Sequence, residues 1–283
     1  MGRDARIRHQ RQSHSISASA PAPIVNIADA RSRRDALQPN RRVGVFIAVP
    51  TVSGHVNFSI AMLFARAMAS SRLPECPFDF TVHLEVGKRG IDYARNCIVR
   101  TFLNDSNADW LYMIDDDQVV PDNFWELCTV RDADAVSALI PVWVANMDPE
   151  AMLRVNNYGV DAKHRCYNLP IPAADAKQPY RVPIVGTGAI AIRRRVFAPR
   201  PHGVGDAPFY FTHEPSRKVA TGEDVNFSVE CNRAGFVLAA HPGVRYDHTK
   251  ELGLWQVETY YNARRRMETE NRALTDEQRV SIG

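Results

Sequence analysis

The chain has 283 residues, 45% hydrophobic and 24% charged, which is the composition of a water-soluble globular protein long enough for one large α/β domain or two small ones. No run approaches the roughly 18 apolar residues of a membrane span, and the arginine-bearing start lacks the apolar segment of a secretory signal. Five scattered cysteines with no CxxC pair argue against a disulfide framework and a zinc site, so a reducing cytoplasm is the expected setting.

The formal charge of +3 is unevenly spread. Residues 1–42 carry nine arginines against Asp4, Asp29 and Asp35, a balance of +6, which leaves −3 for the remaining 241 residues. Residues 1–41 read as a disordered basic arm, because Ser13 to Pro23 offers almost no large apolar side chain to bury. Such an arm is either a polyanion-binding segment or a solubilising tail.

Order is expected from Arg42. Val43 to Val49 is a continuous apolar strand of the kind covered on both faces, closed by a turn at Pro50 to Gly54. His55 to Ser70 has helical spacing. Phe80 to Val86 alternates like a strand, Gly87 to Gly90 is a turn, and Ile91 to Leu103 is helical. Trp110 to Ile114 is a short apolar strand that runs straight into Asp115, Asp116 and Asp117. A helix over Asp122 to Thr129 and a strand over Ala135 to Ile140 follow. This alternation implies a parallel sheet with right-handed crossovers. Residues 142–182 read as a long excursion over the carboxyl edge of the sheet, where binding loops sit. Val185 to Ile192 opens on glycines and turns apolar. Gly222 to Ala234 is helical, Phe236 to Ala240 and Val244 to Tyr246 are short strands, His248 follows, and a helix over Gly253 to Arg272 closes the chain.

Chemistry concentrates in four places. Three adjacent carboxylates repel one another, and a hard divalent cation is one reason to keep them; an idle acidic turn is the other. Alternate residues at a strand end point the same way, so Asp115 and Asp117 can reach one ligand while Asp116 aims elsewhere. His248 follows a strand, as a surface histidine or as a third ligand suited to manganese. Glu223 and Asp224 occupy the first turn of a helix, where the dipole favours acids and where one could also serve as a general base. Arg95, in Tyr93-Ala-Arg-Asn96, is a surface arginine, a diphosphate partner or the holder of an acid.

In this order, the set resembles a nucleotide-sugar glycosyltransferase of GT-A fold, family-two type, and small phage-encoded members in particular. The match runs from about Val43 to about His248. It rests on Val49-Pro50-Thr51, Ala94-Arg95-Asn96, Trp110 to Asp117, Gly186-Thr187-Gly188 with Ile192-Arg193-Arg194, Glu223-Asp224 and His248. The resemblance implies one GT-A (Rossmann-like) α/β domain over 42–250, with a mostly parallel central sheet flanked by helices and a helical extension over 251–283. It implies that Pro50 and Thr51 line the nucleotide pocket, that Arg95 lies near the nucleotide or diphosphate and Asp115 near the ribose or metal, and that Asp116 belongs to the donor-binding set with its role open. Asp115, Asp117 and His248 would hold Mn2+ or Mg2+. Gly186 to Gly188 would lie under the donor sugar and the acceptor. Asp224, with Glu223 beside it, would be the base of an inverting enzyme, or would orient substrate in a retaining one.

The expected activity is transfer of a single sugar from a UDP- or GDP-sugar to an acceptor hydroxyl, without a membrane partner. A hydroxymethylated pyrimidine in DNA, reached through the basic arm, is one acceptor, and saccharide, lipid-linked or protein hydroxyls are the others. The rival readings are a sugar nucleotidyltransferase, whose cation-bearing glycine loop is missing at Thr51 to His55, and a non-catalytic nucleic-acid-binding module.

Overall fold

The computed structural model describes residues 41–143, 153–162, 165–173, 175–214 and 219–248. The basic arm and the C-terminal helix expected from the sequence lie outside these residues. A compact unit begins at Arg42.

Strand β1 (Val43–Thr51) is buried over most of its length. Its side chains alternate between two cores: Val45, Ile47 and Val49 enter one, Phe46 and Ala48 the other. That is why it reads as an unbroken apolar run. Helix α1 (Phe58–Ser70) starts three residues later than its spacing implies, because Asn57 caps it, with Oδ1 accepting from Ile60 N at 3.0 Å. It packs Ile60 and Leu63 into the first core. After β2 (Phe78–Val86), Gly90 takes φ 88°, a conformation that favours glycine, and opens α2 (Ile91–Asp105). This helix sends Ile98, Val99 and Phe102 into the second core. Strand β3 (Trp110–Ile114) is fully buried, and β4 (Gln118–Val119) follows the acidic turn.

The helix expected at 122–129 is a short 3-10 segment, Phe124–Thr129. Pro121 precedes it, and short connecting pieces of this kind are where 3-10 structure is commonly found. Strand β5 (Ala135–Leu139) is buried throughout. The excursion over 142–182 contains two small antiparallel pairs, β6 (Pro141–Trp143) with β7 (Leu153–Val155) and β8 (Tyr158–Val160) with β9 (Cys166–Asn168), and then β10 (Tyr180–Arg181). Next come β11 (Ala189–Arg193), the pair β12 (Thr212–Glu214) and β13 (Val219–Thr221), and α3 (Glu223–Arg233). The two short strands expected after it are one, β14 (Leu238–Arg245), whose register breaks between His241 and Arg245. Pro242 sits at the break, where it has no N–H to give a ladder. Strand β15 (Asp247–His248) pairs with β4.

The central sheet has seven strands in the order β2-β1-β3-β11-β5-β14-β10. β1, β2, β3, β5 and β14 run one way, while β11 and β10 run antiparallel to their neighbours. This is the α/β domain with a mostly parallel central sheet and flanking helices that the resemblance implies. The reversal at β11 has a local consequence: its entry, Gly186 to Gly188, arrives at the same edge where β1, β3 and β5 end.

Candidate active site

Five same-direction strands place their carboxyl ends on one edge, the usual site of ligands in open α/β sheets. The acidic triplet leaves β3 there. Gln118 N donates to Asp115 O at 3.3 Å, so residues 115–118 form a tight turn. Asp115 N is held by Gly188 O at 2.8 Å. Asn57 pins the turn from the other side, donating through Nδ2 to the carbonyls of Asp116 (3.2 Å) and Gln118 (2.8 Å). The same side chain therefore caps α1 and fixes the triplet.

The turn sends its carboxylates to different partners. Asp115 Oδ1 accepts from Arg95 at 2.8 Å. Arg95 is 2% exposed, and its other terminal nitrogen binds Glu223 of α3. Thr187 Oγ1 also donates to Glu223, at 3.3 Å. Asp117 lies against His248, with Nε2 to Oδ2 at 3.1 Å, while its Oδ1 accepts from Gln118 Nε2 at 3.0 Å. The β4–β15 pairing sets Gln118 opposite His248, so one residue orients both members of the pair. Asp116 is half-buried and contributes its carbonyl to the turn.

Electrostatics mark the same cluster. Burial raises the Asp115 carboxyl to about 6, with Arg95 opposing the shift and Asp117 and Glu223 adding to it. Burial also raises Asp224, helped by the Glu223 charge and opposed by hydrogen bonds from Val225 N and from the Tyr158 hydroxyl. Burial, and then the Asp224 charge, pushes the Tyr158 phenol well up. Perturbed acids gathered in this way are a mark of functional sites. Among the described residues, the buried side-chain nitrogens and oxygens without a hydrogen-bond partner are Arg95 Nε, Gln118 Oε1 and Asn156 Nδ2. All three border this edge, and such atoms are costly enough to need a reason.

The glycines are required by close packing. A Cβ on Gly186 would collide with the Asn156 carbonyl, and one on Gly188 would come within 2.9 Å of Ile140 Cδ1 and 3.3 Å of Asp115 Oδ2. Pro50 and Thr51 end β1 at the same edge, both buried, with Thr51 Oγ1 donating to His55 O at 3.0 Å.

The expected site residues are therefore gathered at one edge, in two subclusters. Asp117 pairs with His248; Asp115 joins Arg95 and Glu223. No group of three or more His, Cys, Asp or Glu side chains among the described residues is arranged to hold a metal ion. A divalent cation fits Asp117 and His248 as a two-residue seat, with oxygen and imidazole donors, if phosphate oxygens and water complete the shell. Asp115 is occupied by Arg95 in this arrangement.

From the sequence, Gln118, Asn57 and Tyr158 have no assigned role, and Thr187 enters only as the middle of Gly186-Thr187-Gly188. Gln118 directly follows the triplet, so proximity was an available signal. Tyr158 lies in an aperiodic stretch and had none. Two hollows elsewhere, one between Met62 and Phe124 and one between Arg194 and Asp206, are lined by none of these acids.

No family model matches the chain, and no curated protein matches it by sequence. It is similar to the crystal structure of A197 from STIV, with a TM-score of 0.47 and 15% identity, over 75% of this chain and 87% of that one. It is also similar to the crystal structure of GalNAc-T7 with UDP, GalNAc and Mn2+, with a TM-score of 0.43 and 16% identity, over 77% of this chain and 45% of that one. The chain thus spans less than half of the second structure. Both scores lie below 0.5, and nothing about chemistry follows from either.

Proposed function

We propose that the chain is a glycosyltransferase that moves one sugar from a nucleotide diphosphate donor to an acceptor hydroxyl. The observation that supports this reading best is the meeting, at one sheet edge, of Asp117 with His248 and of Asp115, through Arg95, with Glu223. Residues more than 100 positions apart converge there without packing as core. An idle acidic turn has no need of that convergence.

Asp117 and His248 would hold Mn2+ or Mg2+, and the nucleotide would lie along the ends of β1 and β3, over Pro50, Thr51 and Asp115. Bound there, the cation supplies positive charge that stabilises the departing diphosphate. Gly186 to Gly188 keep the backbone low where the donor sugar would pass. Asp224 is the better base of the α3 pair. Glu223 is held by Arg95 and Thr187, whereas Asp224 has a raised proton affinity and accepts from Val225 N at 2.7 Å and from the Tyr158 hydroxyl. A carboxylate so raised accepts a proton from an attacking hydroxyl more readily than an ordinary one.

The test is incubation of the full chain with a panel of UDP- and GDP-sugars and Mn2+, reading free nucleoside diphosphate. Release is expected for at least one donor. Pyrophosphate release would instead favour a nucleotidyltransferase, and DNA binding without turnover would favour a binding module. Asp117→Ala is expected to lower donor cleavage about 100-fold or more, a loss typical of removing one transition-state charge contact. Chelation should do the same. Unchanged activity in either case would remove the metal from the reading.

A further inference from the structure

The geometry points to Arg95 as a positioning residue that clamps the acidic end of β3 to the first turn of α3, and not as a ligand of the donor diphosphate. This rests on the glycosyltransferase reading for its kinetic consequences, but not for its structural one.

The guanidinium is planar and presents its donors in a fixed fork. In this chain the fork is split between two carboxylates on different elements. One terminal nitrogen binds Asp115 at 2.8 Å and the other binds Glu223. The Arg95 side chain is 3% exposed, and those of Asp115 and Glu223 are 29% and 12% exposed. The Nε of Arg95 is buried with no hydrogen-bond partner. Each terminal nitrogen keeps a second N–H, but with the side chain 3% exposed a phosphate could reach it only by displacing the carboxylates that cover it, and a buried carboxylate left without its counter-charge is strongly unfavourable.

The anchoring of the helix that carries Arg95 fits the same role. Its neighbour Asn96 grips the Phe209 backbone twice, through Nδ2 to O at 2.6 Å and Oδ1 to N at 3.0 Å. Arg95 is thus fixed from behind and bonded in front. Glu223, in turn, adjoins Asp224 in the first turn of α3 and takes a second bond from Thr187 at 3.3 Å. The clamp therefore sets the separation between the Asp117–His248 pair and Asp224. A lysine carries the same charge on one nitrogen with rotatable donors, and it lacks the planar fork that holds both acids in a fixed geometry.

The experiment compares Arg95→Lys, Glu223→Gln and the double variant in the full chain. Arg95→Lys is expected to lower kcat for sugar transfer about 100-fold, the scale of a small misplacement of reacting groups. The donor KM should hold, as should the affinity for UDP or GDP with Mn2+ measured by calorimetry. Glu223→Gln should show the same split. A raised KM and weakened nucleotide affinity with kcat retained would overturn the clamp and restore the diphosphate role. Urea unfolding of the same set gives a readout that needs no turnover. The clamp requires the double variant to be less destabilised than the two single losses combined, because both remove one interaction. Additive losses would overturn it. If wild-type protein cleaves no nucleotide sugar, the proposed function fails, and the unfolding cycle alone still decides the clamp.

Discussion

Glu223 and Asp224 are adjacent acids with different surroundings, and the difference lies in what reaches them. Arg95 and Thr187 bind Glu223, while Asp224 receives the Tyr158 hydroxyl from β8. That hydrogen bond favours the charged carboxylate and so opposes the raised proton affinity of Asp224. Removing it in Tyr158→Phe should raise the affinity further. The acid limb of the kcat profile is then expected to move to higher pH, with donor KM unchanged. A limb that stays in place would exclude Tyr158 from tuning the base. At this scale the sequence was informative wherever chemistry is carried by rare residue patterns. Three consecutive acids after an apolar strand, an acidic pair opening a helix and a histidine after a strand all stood out. Tyr158 and Gln118 did not, because a tyrosine or glutamine has no distinguishing pattern until another chain segment supplies its partner.

Among the elements, β14 shows a similar dependence on context. His241 is buried on it, and its Nδ1 accepts from Gly243 N at 3.2 Å, which requires an unprotonated nitrogen. Burial lowers its proton affinity from the ordinary 6.5, and Glu126 only partly opposes this. The unfolded chain therefore binds a proton below pH 6.5 that the folded chain resists, so stability should fall as pH drops from that value towards the lowered folded-state one. His241→Asn should reduce this slope. Urea midpoints across the range would check it, and equal slopes in both proteins would remove His241 as a source.

β1, α1, β2, α2 and β3 were legible because a clear period combines with turn signals between them: Pro50 to Gly54, Gly87 to Gly90 and the acidic turn. The 3-10 segment at Phe124–Thr129 and the single broken strand β14 were misread. Buried residues at short helical spacing do not distinguish one turn from three. A proline inside a strand looks like a boundary until the ladder on either side is seen.

For the molecule as a whole, charge divides between a basic arm and a slightly acidic remainder. The active edge needs nothing from the arm in the proposed chemistry. Deleting residues 1–40 is therefore expected to leave donor cleavage intact. For a DNA acceptor, it should weaken binding and flatten the salt dependence, since each lost phosphate contact lowers the slope. An unchanged slope in binding titrations across salt concentrations would dissociate the arm from acceptor recognition. Among the described residues, no helix is long and apolar enough to cross a membrane.

The sequence by itself determined the α/β class, the order of the first five elements and the edge at which the acids lie. Apolar period and turn chemistry are local, and a strand's carboxyl end is known once the strand is. Only the tertiary structure decided how the acids are shared. It alone set β11 antiparallel between β3 and β5, turned Asp115 towards Arg95, and brought His248 to Asp117 through the β4–β15 pairing. Those choices depend on contacts between residues far apart in the chain, whose geometry is absent from any local pattern.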